Sequence, residues 1–316
     1  MAPDPPELAN TLTPPEPGAE AGRVARLKAR QAALKARGEE LAARAEDERG
    51  RHESVDAVFE MFDRDGEVGG GIIAGALAYR FFIWLLPLAL VAVWGLGITA
   101  DATSQSPEEA AHSVGLAALV SSSVASAASG SARWYALLVG VPVLLYETRS
   151  LLRVLIGAHR LVWNELRSAA PKPTVIQTVK LLVLLVAMMI FAGLSTTARH
   201  GSLLLGIFAA ALIAIPYAAA WLLVSIRLPH RDADWKALVP GALLFGIGAE
   251  TLNVVAVYFI GPYSLEKQGT YGALGLAAVL LLGLYFLGRL MVFSAVLNAT
   301  LWERRTRAKE RAAAGS

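Results

Sequence analysis

The chain has 316 residues, of which 55% are hydrophobic and only 17% are charged, whereas an ordinary soluble domain is about a quarter charged. It contains no cysteine, which excludes a disulfide framework, a zinc–thiolate site and a thiol nucleophile. The apolar residues form runs longer than a buried strand or helix needs, and such runs are typical of transmembrane helices. The net charge of +3 is small, so the positions of the charges are more informative than their sum.

The residues before the first apolar run divide into three parts. Residues 1–22 are rich in proline and glutamate and poor in apolar side chains, which predicts a disordered cytoplasmic tail. Residues 23–52 consist mainly of good helix formers and are predicted to be a charged cytoplasmic helix, either solvated or on the membrane surface. Residues 53–71 are predicted to lead from water into the bilayer, and we call them the juxtamembrane entry. No signal peptide is recognisable, so insertion is expected to begin with a transmembrane helix.

The juxtamembrane entry contains the stretch FDRDGEVGGG, which resembles two kinds of ligand loop. An EF-hand loop needs a glycine at its sixth position and a glutamate at its twelfth, and neither possible register supplies both. A phosphate-binding Walker loop needs Lys and Ser or Thr after its last glycine, and these are missing. We therefore interpret Asp63, Arg64, Asp65 and Glu67 as residues that keep the chain in water, with three glycines that loosen it before the bilayer.

Six apolar segments follow, each with the roughly 20 residues that a hydrocarbon core of about 30 Å requires. They lie at about 72–98, 134–156, 178–198, 203–226, 237–260 and 272–298. A serine-rich stretch at 114–128 is too short to span and is predicted to be an interfacial helix outside the cytoplasm. The transmembrane domain is expected at 72–303, followed by a basic cytoplasmic tail at 304–316.

Connections that are rich in basic residues alternate along the chain with connections that are poor in them. Both ends, and the connections after the second and fourth segments, are rich in Arg and Lys, whereas the other three connections carry one basic residue each. The positive-inside rule then predicts an all-α integral membrane bundle of six transmembrane helices with both termini cytoplasmic, accompanied by amphipathic interfacial helices.

Small residues are frequent in the last two segments, where they predict close packing between the two helices. Those in the fifth segment are Gly241, Ala242, Gly246, Gly248 and Ala249, and those in the sixth are Gly272, Gly275, Gly283 and Gly288.

Four charged residues lie well inside the apolar segments, away from the segment ends, where each costs about 2.5–3.5 kcal/mol on insertion. Counting about 1.5 Å per residue from the cytoplasmic ends puts them at similar depths, about 12–20 Å. They are Arg80, Glu147, Glu250 and Arg289, and Tyr79, Tyr146 and Asn253 lie beside them. One interpretation is a polar cavity that binds an anionic head group or relays protons. The other is a pair of structural salt bridges, Arg80–Glu147 and Arg289–Glu250, and Arg80 is also long enough to snorkel to the surface.

The end of the second segment predicts a basic amphipathic helix on the inner leaflet, because arginines and leucines alternate there with helical spacing. The arginines are Arg149, Arg153 and Arg160, and the leucines are Leu151, Leu155 and Leu161. Together with the basic residues of 23–37 and of the C-terminal tail, this helix is expected to attract anionic lipid. No interleaved aromatic residues or known binding module accompany the charge, so we expect membrane lipids and no nucleic acid as partners. The sequence is also compatible with a homo-oligomer.

Three motifs resemble the YihY/virulence factor BrkB family. They are AGALAYRFFIWLLPLAL in the first segment, LPHRDADWKALVPGALLFG around the start of the fifth, and TYGALG with AVLNATLWER in the sixth. The motif positions are Tyr79, Pro87, Pro229, Trp235, Pro240, Gly241, Tyr271, Gly272 and Asn298. The resemblance covers about residues 55–305. The chain departs from the family pattern at Arg80, Trp84 and Val296, where relatives often carry an aromatic residue, Ser and Glu.

The resemblance implies a multi-pass protein of a bacterial inner (cytoplasmic) membrane. Its relatives are linked to virulence or serum resistance or suspected of lipid transport. We therefore expect a transporter or lipid-handling protein of unknown substrate. The alternative is a non-transporting scaffold or envelope-assembly protein.

The family's former label, ribonuclease BN, implies a metal-dependent hydrolase, which needs clustered histidine ligands. The histidines of this chain occur singly and are expected at the surface or the membrane interface; they are His52, His112, His159, His200 and His230. The sequence therefore predicts no metal site, no cofactor and no enzymatic activity.

Overall fold

The computed structural model describes residues 28–37, 40, 53–103, 132–165, 171–197, 203–256 and 261–315. These residues form helices and turns and contain no strand, which confirms the all-α class. The chain divides into two compact units, Met1–Phe59 and Glu60–Ser316. In the first unit, residues 28–37 are helical and exposed. The tail predicted at 1–22 and the interfacial helix predicted at 114–128 lie outside the described residues.

The long helices follow the predicted apolar segments. Helix α1 spans Glu53–Glu67, α2 Gly70–Thr103, α3 Ala132–Val162, α4 Val175–Thr197 and α5 Leu203–Ser225. A 3₁₀ turn at Trp235–Leu238 leads into α6 at Val239–Val255, and α7 spans Gly261–Ala314. Within the described ranges, α2, α4, α6 with its preceding turn, and α7 are long and apolar enough to cross a membrane. That the chain has six spans, and that both termini are cytoplasmic, remain predictions.

The helices pack around α7, which contacts α2, α3 and α6. Helix α2 packs along α3, and α5 packs along α6. Helix α4 lies at the edge, against α3 and more lightly against α5, and only 11% of its apolar window is buried. An apolar helix that buries so little of its surface against protein needs another apolar environment, which a bilayer supplies.

The main core forms where α2, α3, α5, α6 and α7 meet, and includes Leu77, Leu155, Phe245 and Val296. A smaller cluster of Trp84, Leu88 and Leu144 joins α2 to α3.

The amphipathic end of α3 contributes to this core. Leu151 and Leu155 are almost completely buried there, whereas Arg149 and Arg153 are exposed. The alternation around Leu151 and Leu155 therefore reflects packing of this apolar face against the protein's own helices, whereas the third predicted leucine, Leu161, is exposed. It is not by itself a sign that this face lies on the inner leaflet.

The small residues of α6 and α7 mediate close packing, with more partners than predicted. A Cβ atom on Gly248 would overlap Leu290 of α7, which fits the predicted contact. On Gly246 it would lie 2.5 Å from the Ala214 carbonyl oxygen of α5, and on Gly288 it would lie 2.7 Å from that of Ala74 on α2. The glycines thus allow close approach of α6 to α5 and of α7 to α2 as well as of α6 to α7.

Candidate functional site

Arg80 and Glu147 form an ion pair between α2 and α3. The Arg80 Nη1 atom lies 3.8 Å from Glu147 Oε2, and the Arg80 side chain is 37% exposed whereas that of Glu147 is mostly buried. The residues that precede them in the chain, Tyr79 and Tyr146, are 57% and 62% exposed. The pair therefore opens towards the outer surface of the helix bundle, beside two exposed aromatic side chains.

A buried hydrogen-bond relay lies one turn along α2 from this pair. Trp84 Nε1 donates to the Thr148 hydroxyl at 2.9 Å, and that hydroxyl donates to the Leu144 carbonyl oxygen at 2.7 Å. Both polar side chains are almost completely buried, so the relay satisfies groups that would otherwise be costly to bury. Trp84, one of the departures from the family pattern, thus fixes the spacing of α2 and α3 next to the ion pair.

Arg289 does not form the predicted pair with Glu250 but a bidentate salt bridge with Asp65. Its Nη1 and Nη2 atoms donate to the two Asp65 carboxylate oxygens at 3.2 and 2.9 Å. Its guanidinium also lies 4.1 Å from the ring centroid of Phe293. Asp65 is only 8% exposed, so the prediction that it keeps the chain in water is wrong.

The glycines of FDRDGEVGGG fit this salt bridge closely, so they do more than loosen the chain. Gly69 has a φ of 67°, a left-handed conformation that glycine adopts without strain. A Cβ on Gly70 would overlap Asp65 Oδ1 and lie 2.9 Å from Arg289 Nη1. The turn between α1 and α2 therefore needs glycine both for its direction and for the space that the ion pair occupies.

The four predicted charges belong to different parts of the bundle. Arg80 and Glu147 pair between α2 and α3, and Arg289 pairs with Asp65. Glu250 is buried and Asn253 is half-buried on α6, and both take part in other interactions. The sequence missed Asp65 because a carboxylate among four charged residues before an apolar run has the pattern of a solvated turn.

Two motif positions that are distant in sequence form one clamp between α6 and α7. The Gly241 amide donates to Asn298 Oδ1 at 2.7 Å, and Asn298 Nδ2 donates to the Leu238 carbonyl oxygen at 3.1 Å. The Asn298 side chain thus satisfies backbone groups in the first turn of α6, which has no capping side chain of its own. A Cβ on Gly241 would lie 2.5 Å from Asn298 Nδ2, so glycine is needed for the approach.

The other motif positions lie on the same helices or next to them. Pro87 is buried in the middle of α2, Pro240 lies in the first turn of α6, and Tyr271 and Gly272 fall within α7. Trp235 is exposed at the start of the 3₁₀ turn, with the Lys236 amine 5.8 Å from its ring centroid. Val296, a departure from the family pattern, is completely buried in the main core.

The sequence pattern of the family described as virulence factor BrkB matches residues 61–316, well over half of the chain. The chain belongs to the virulence factor BrkB family. No curated protein and no solved structure matches it. The BrkB match includes both ion pairs and the clamp between Gly241 and Asn298. It starts at Met61, so Asp65 belongs to the BrkB domain.

A third polar cluster of this BrkB domain is centred on Glu303 of α7, beyond the predicted span at 272–298. Arg64 on α1 donates to both Glu303 oxygens at 2.7 and 3.0 Å. It also donates to the Val162 carbonyl oxygen at the end of α3, at 3.1 and 2.7 Å. Arg231, from the connection between α5 and α6, lies 3.5 Å from Glu303. Glu303 of α7 therefore binds α1 through Arg64 and the α5–α6 connection through Arg231, and Arg64 also ties the end of α3 to this cluster.

Aromatic side chains surround the Glu303 cluster. The ring centroids of Trp163 and Trp302 are 5.8 Å apart, and His230 lies 6.4 Å from Trp163. Arg231 has a φ of 51°, a left-handed backbone conformation that is unfavourable for residues other than glycine. Its amide donates to Glu165 Oε1 and its guanidinium stacks 5.8 Å above Trp302, so its surroundings hold this conformation.

His159 is buried, which corrects the prediction that it lies at the surface or the membrane interface. Its Nδ1–H donates to the Leu155 carbonyl oxygen at 3.2 Å, and its ring lies 6.1 Å from that of Trp221. Trp221 in turn donates to the Ser294 hydroxyl at 2.6 Å. The sequence contained a signal for this position, because His159 follows Leu155 by four residues and so shares its buried helix face.

The Glu303 cluster predicts a pH-dependent stability. Burial alone would raise the pKa of the Glu303 carboxyl, but the hydrogen bond from Arg64 and the charges of nearby arginines outweigh it and lower the pKa below its ordinary value of 4.5. The ionised form then stabilises the fold above about pH 4.5, and this contribution is lost as the pH falls through the lowered pKa. We expect Glu303→Gln to lower the melting temperature in detergent at neutral pH and to differ less from wild type below about pH 4.5.

A suitable control is Glu310→Gln, which removes an exposed carboxylate two turns further along α7. We expect it to change stability by less than about 0.5 kcal/mol at any pH. A Glu303→Gln deficit that is equally large at pH 4 and at pH 7 would contradict the predicted role of the charge.

Proposed function

We propose that this protein is a six-span protein of a bacterial inner membrane, with both termini in the cytoplasm. Its proposed activity is to move phospholipid between the two leaflets of the membrane. Membership of the BrkB family and four helices of spanning length support the membrane location. The alternation of basic and non-basic connections supports the orientation. The Glu303 cluster and the basic end of α7 would then lie on the cytoplasmic side.

The observation that carries the lipid role is the exposure of Arg80, which pairs with the mostly buried Glu147. An aqueous solute would need an enclosed, water-filled path through the bundle. The pair instead opens to the surface of α2 and α3, where Arg80 retains 37% exposure. A lipid head group can pass such a surface while its acyl chains stay in the bilayer. Its phosphate would meet Arg80, and the ammonium group of a zwitterionic lipid would meet Glu147.

The free-energy cost of placing this charged pair inside a membrane supports the same conclusion. A charged side chain at membrane depth costs about 2.5–3.5 kcal/mol, and such residues are by default candidates for function. Tyr79 and Tyr146 add exposed hydroxyl-bearing rings next to the pair, which suits a surface that contacts polar and apolar parts of a lipid in turn.

The second candidate function is a non-transporting scaffold, and the Asp65–Arg289 salt bridge favours it. That pair is directly hydrogen-bonded and largely buried, so its geometry suits a structural link between α7 and the end of α1. If Arg80 and Glu147 act in the same way, they join α2 to α3 and move no lipid.

The test is lipid exchange between leaflets in liposomes that contain the full chain and a fluorescent phosphatidylcholine. We expect the wild type to accelerate exchange relative to protein-free liposomes. We expect Glu147→Gln and Arg80→Gln to slow it about tenfold, the effect of about 1.4 kcal/mol on a barrier. The matched control is Arg149→Gln, which removes an exposed charge two residues beyond Glu147 and should exchange lipid at the wild-type rate.

Each variant should first elute from gel filtration like the wild type, so that a loss of exchange is not a loss of folding. Lipid exchange no faster than in protein-free liposomes, or equal rates for wild type and Glu147→Gln, would refute the proposed transport and leave the scaffold.

A further inference from the structure

A groove with an apolar floor lies between α3, α4 and α5, away from the Arg80–Glu147 pair. Its volume is about 290 Å³. Leu152 and Ile156 of α3, Leu181 of α4 and Leu228, just after α5, line it and are buried. Leu223 of α5 stands at its edge and is largely exposed. The groove exists because α4 packs on α3 but only lightly on α5, which leaves a gap open to the side of the bundle.

Polar residues occur at one end of this groove. Lys180 of α4 and Arg227, two residues after α5 ends, both line it and are exposed. The third polar lining residue, Gln177, is occupied in a capping box: its side chain accepts from the Thr174 amide at 3.0 Å, and its amide donates to the Thr174 hydroxyl at 3.2 Å. The first turn of α4, with its positive dipole end, therefore borders the same end of the groove.

We propose that this groove binds one anionic phospholipid, with its phosphate between Lys180 and Arg227 and an acyl chain along the leucines of the floor. The lining contains two cations and no carboxylate among its residues, so its charge complements an anionic head group. Small-molecule sites usually have volumes of about 300–1,000 Å³. A groove of 290 Å³ thus accommodates the glycerol region and part of one chain, and the rest of the lipid would lie in the bilayer.

The occupant is a lipid of the leaflet because of where the groove opens. Its edge is formed by α4, of whose apolar window only 11% is buried, and by the exposed Leu223. A soluble phosphate compound would use the two cations but would leave the apolar floor without a partner. A phospholipid covers both, and it arrives from the side without crossing water. This site does not depend on the proposed lipid movement, since a lipid that binds here need not exchange between leaflets.

The experiment uses the full chain in vesicles of phosphatidylcholine with and without phosphatidylglycerol, and a phosphatidylglycerol probe with a photoreactive diazirine in its acyl chain. We expect crosslinks on the groove residues of α3, α4 and α5, with competition by unlabelled phosphatidylglycerol but not by phosphatidylcholine. Each cation near an anionic lipid is worth about a fivefold change in affinity. The Lys180→Gln/Arg227→Gln double variant should therefore bind the probe about 30-fold more weakly.

Two further variants keep the result interpretable. Arg149→Gln/Arg153→Gln removes the same charge from exposed positions of α3 that do not line the groove. These arginines attract anionic lipid to the membrane surface but do not contact a lipid in the groove, so this variant should weaken probe binding at the groove clearly less than Lys180→Gln/Arg227→Gln does. Leu223→Trp leaves both cations in place but fills the edge of the groove, and it should reduce crosslinking to the floor. Equal loss in both double variants, equal competition by the two lipids, or crosslinks spread evenly over α4 would overturn the proposal. Links between the Lys180 amines of two copies under a separate bifunctional amine reagent, with no probe crosslinks at the groove, would also overturn it.

Discussion

Replacement of Asp65 by asparagine is expected to destabilise the protein by about 3 kcal/mol, although the side chain keeps its size. The change leaves the Arg289 guanidinium largely buried without its counter-charge, and breaking a buried pair from one side costs about 3–5 kcal/mol. The lower end applies because the Arg289 side chain keeps 19% exposure. For a unit of this size the melting temperature should fall by about 6–12 °C. Thermal or denaturant unfolding in mild detergent measures it.

A double-mutant cycle distinguishes loss of the pair from loss of the aspartate alone. Arg289→Met removes the charge but retains much of the side chain's length. If the salt bridge is the cause, Asp65→Asn and Arg289→Met together should cost less than the sum of the two single changes, by about 1–3 kcal/mol. Strictly additive losses would mean that the two side chains stabilise the fold independently. Glu67→Gln provides the control, because Glu67 is exposed two residues later on the same helix.

The helices were predictable from the sequence because their signals are local. An apolar run of sufficient length indicates a helix wherever its partners lie, and all six runs coincide with helices among the described residues. The partners of those helices are less predictable. The period of α3 placed Leu151 and Leu155 on one face, but the same period fits a face against lipid and a face against protein. Only the packing on α2 and α7 shows that these residues contribute to the core.

The candidate site shows the same limit more sharply. Depth along a helix can be estimated from residue counts, but the direction in which a side chain points around the bundle cannot. Arg80 and Glu147 lie on neighbouring helices at similar depth, and the structure brings them within 3.8 Å. Arg289 and Glu250 had comparable depths too, yet Arg289 turns to Asp65, which lies 224 residues away in sequence. A residue outside the apolar runs was never a candidate for pairing at membrane depth.

Two glycines have structural roles that the sequence pattern does not reveal. Gly70 and Gly241 look like loosening or packing residues in the sequence, because a glycine carries no sign of what occupies the space beside it. In the structure that space holds the Asp65 carboxylate in one case and the Asn298 side chain in the other. Both glycines therefore determine polar geometry, and both lie within the part of the chain that matches the BrkB family.

The second large effect is expected at Gly241, where alanine should destabilise the protein by about 3 kcal/mol. A Cβ atom there would overlap the Ser294 carbonyl oxygen and lie 2.5 Å from Asn298 Nδ2. Overpacking costs about 1–3 kcal/mol where side chains can adjust, and a helix backbone carbonyl adjusts least. The change would also strain the hydrogen bond from the Gly241 amide to Asn298. Unfolding in mild detergent again provides the measurement.

Gly283→Ala is the matched control, because Gly283 lies in α7 with no atom within 4 Å of a Cβ built on it. Alanine is a better helix former than glycine by about 1 kcal/mol, so this variant should be as stable as wild type or slightly more stable. The Gly241→Ala/Asn298→Ala double variant then separates the two neighbours of Gly241. Removal of the Asn298 side chain relieves one overlap but leaves the Ser294 carbonyl, and it leaves the Leu238 carbonyl without its donor. The double variant should therefore be no more stable than Gly241→Ala. Recovery to wild-type stability would show that the clamp side chain, and not the proximity of α6 and α7, requires glycine at this position.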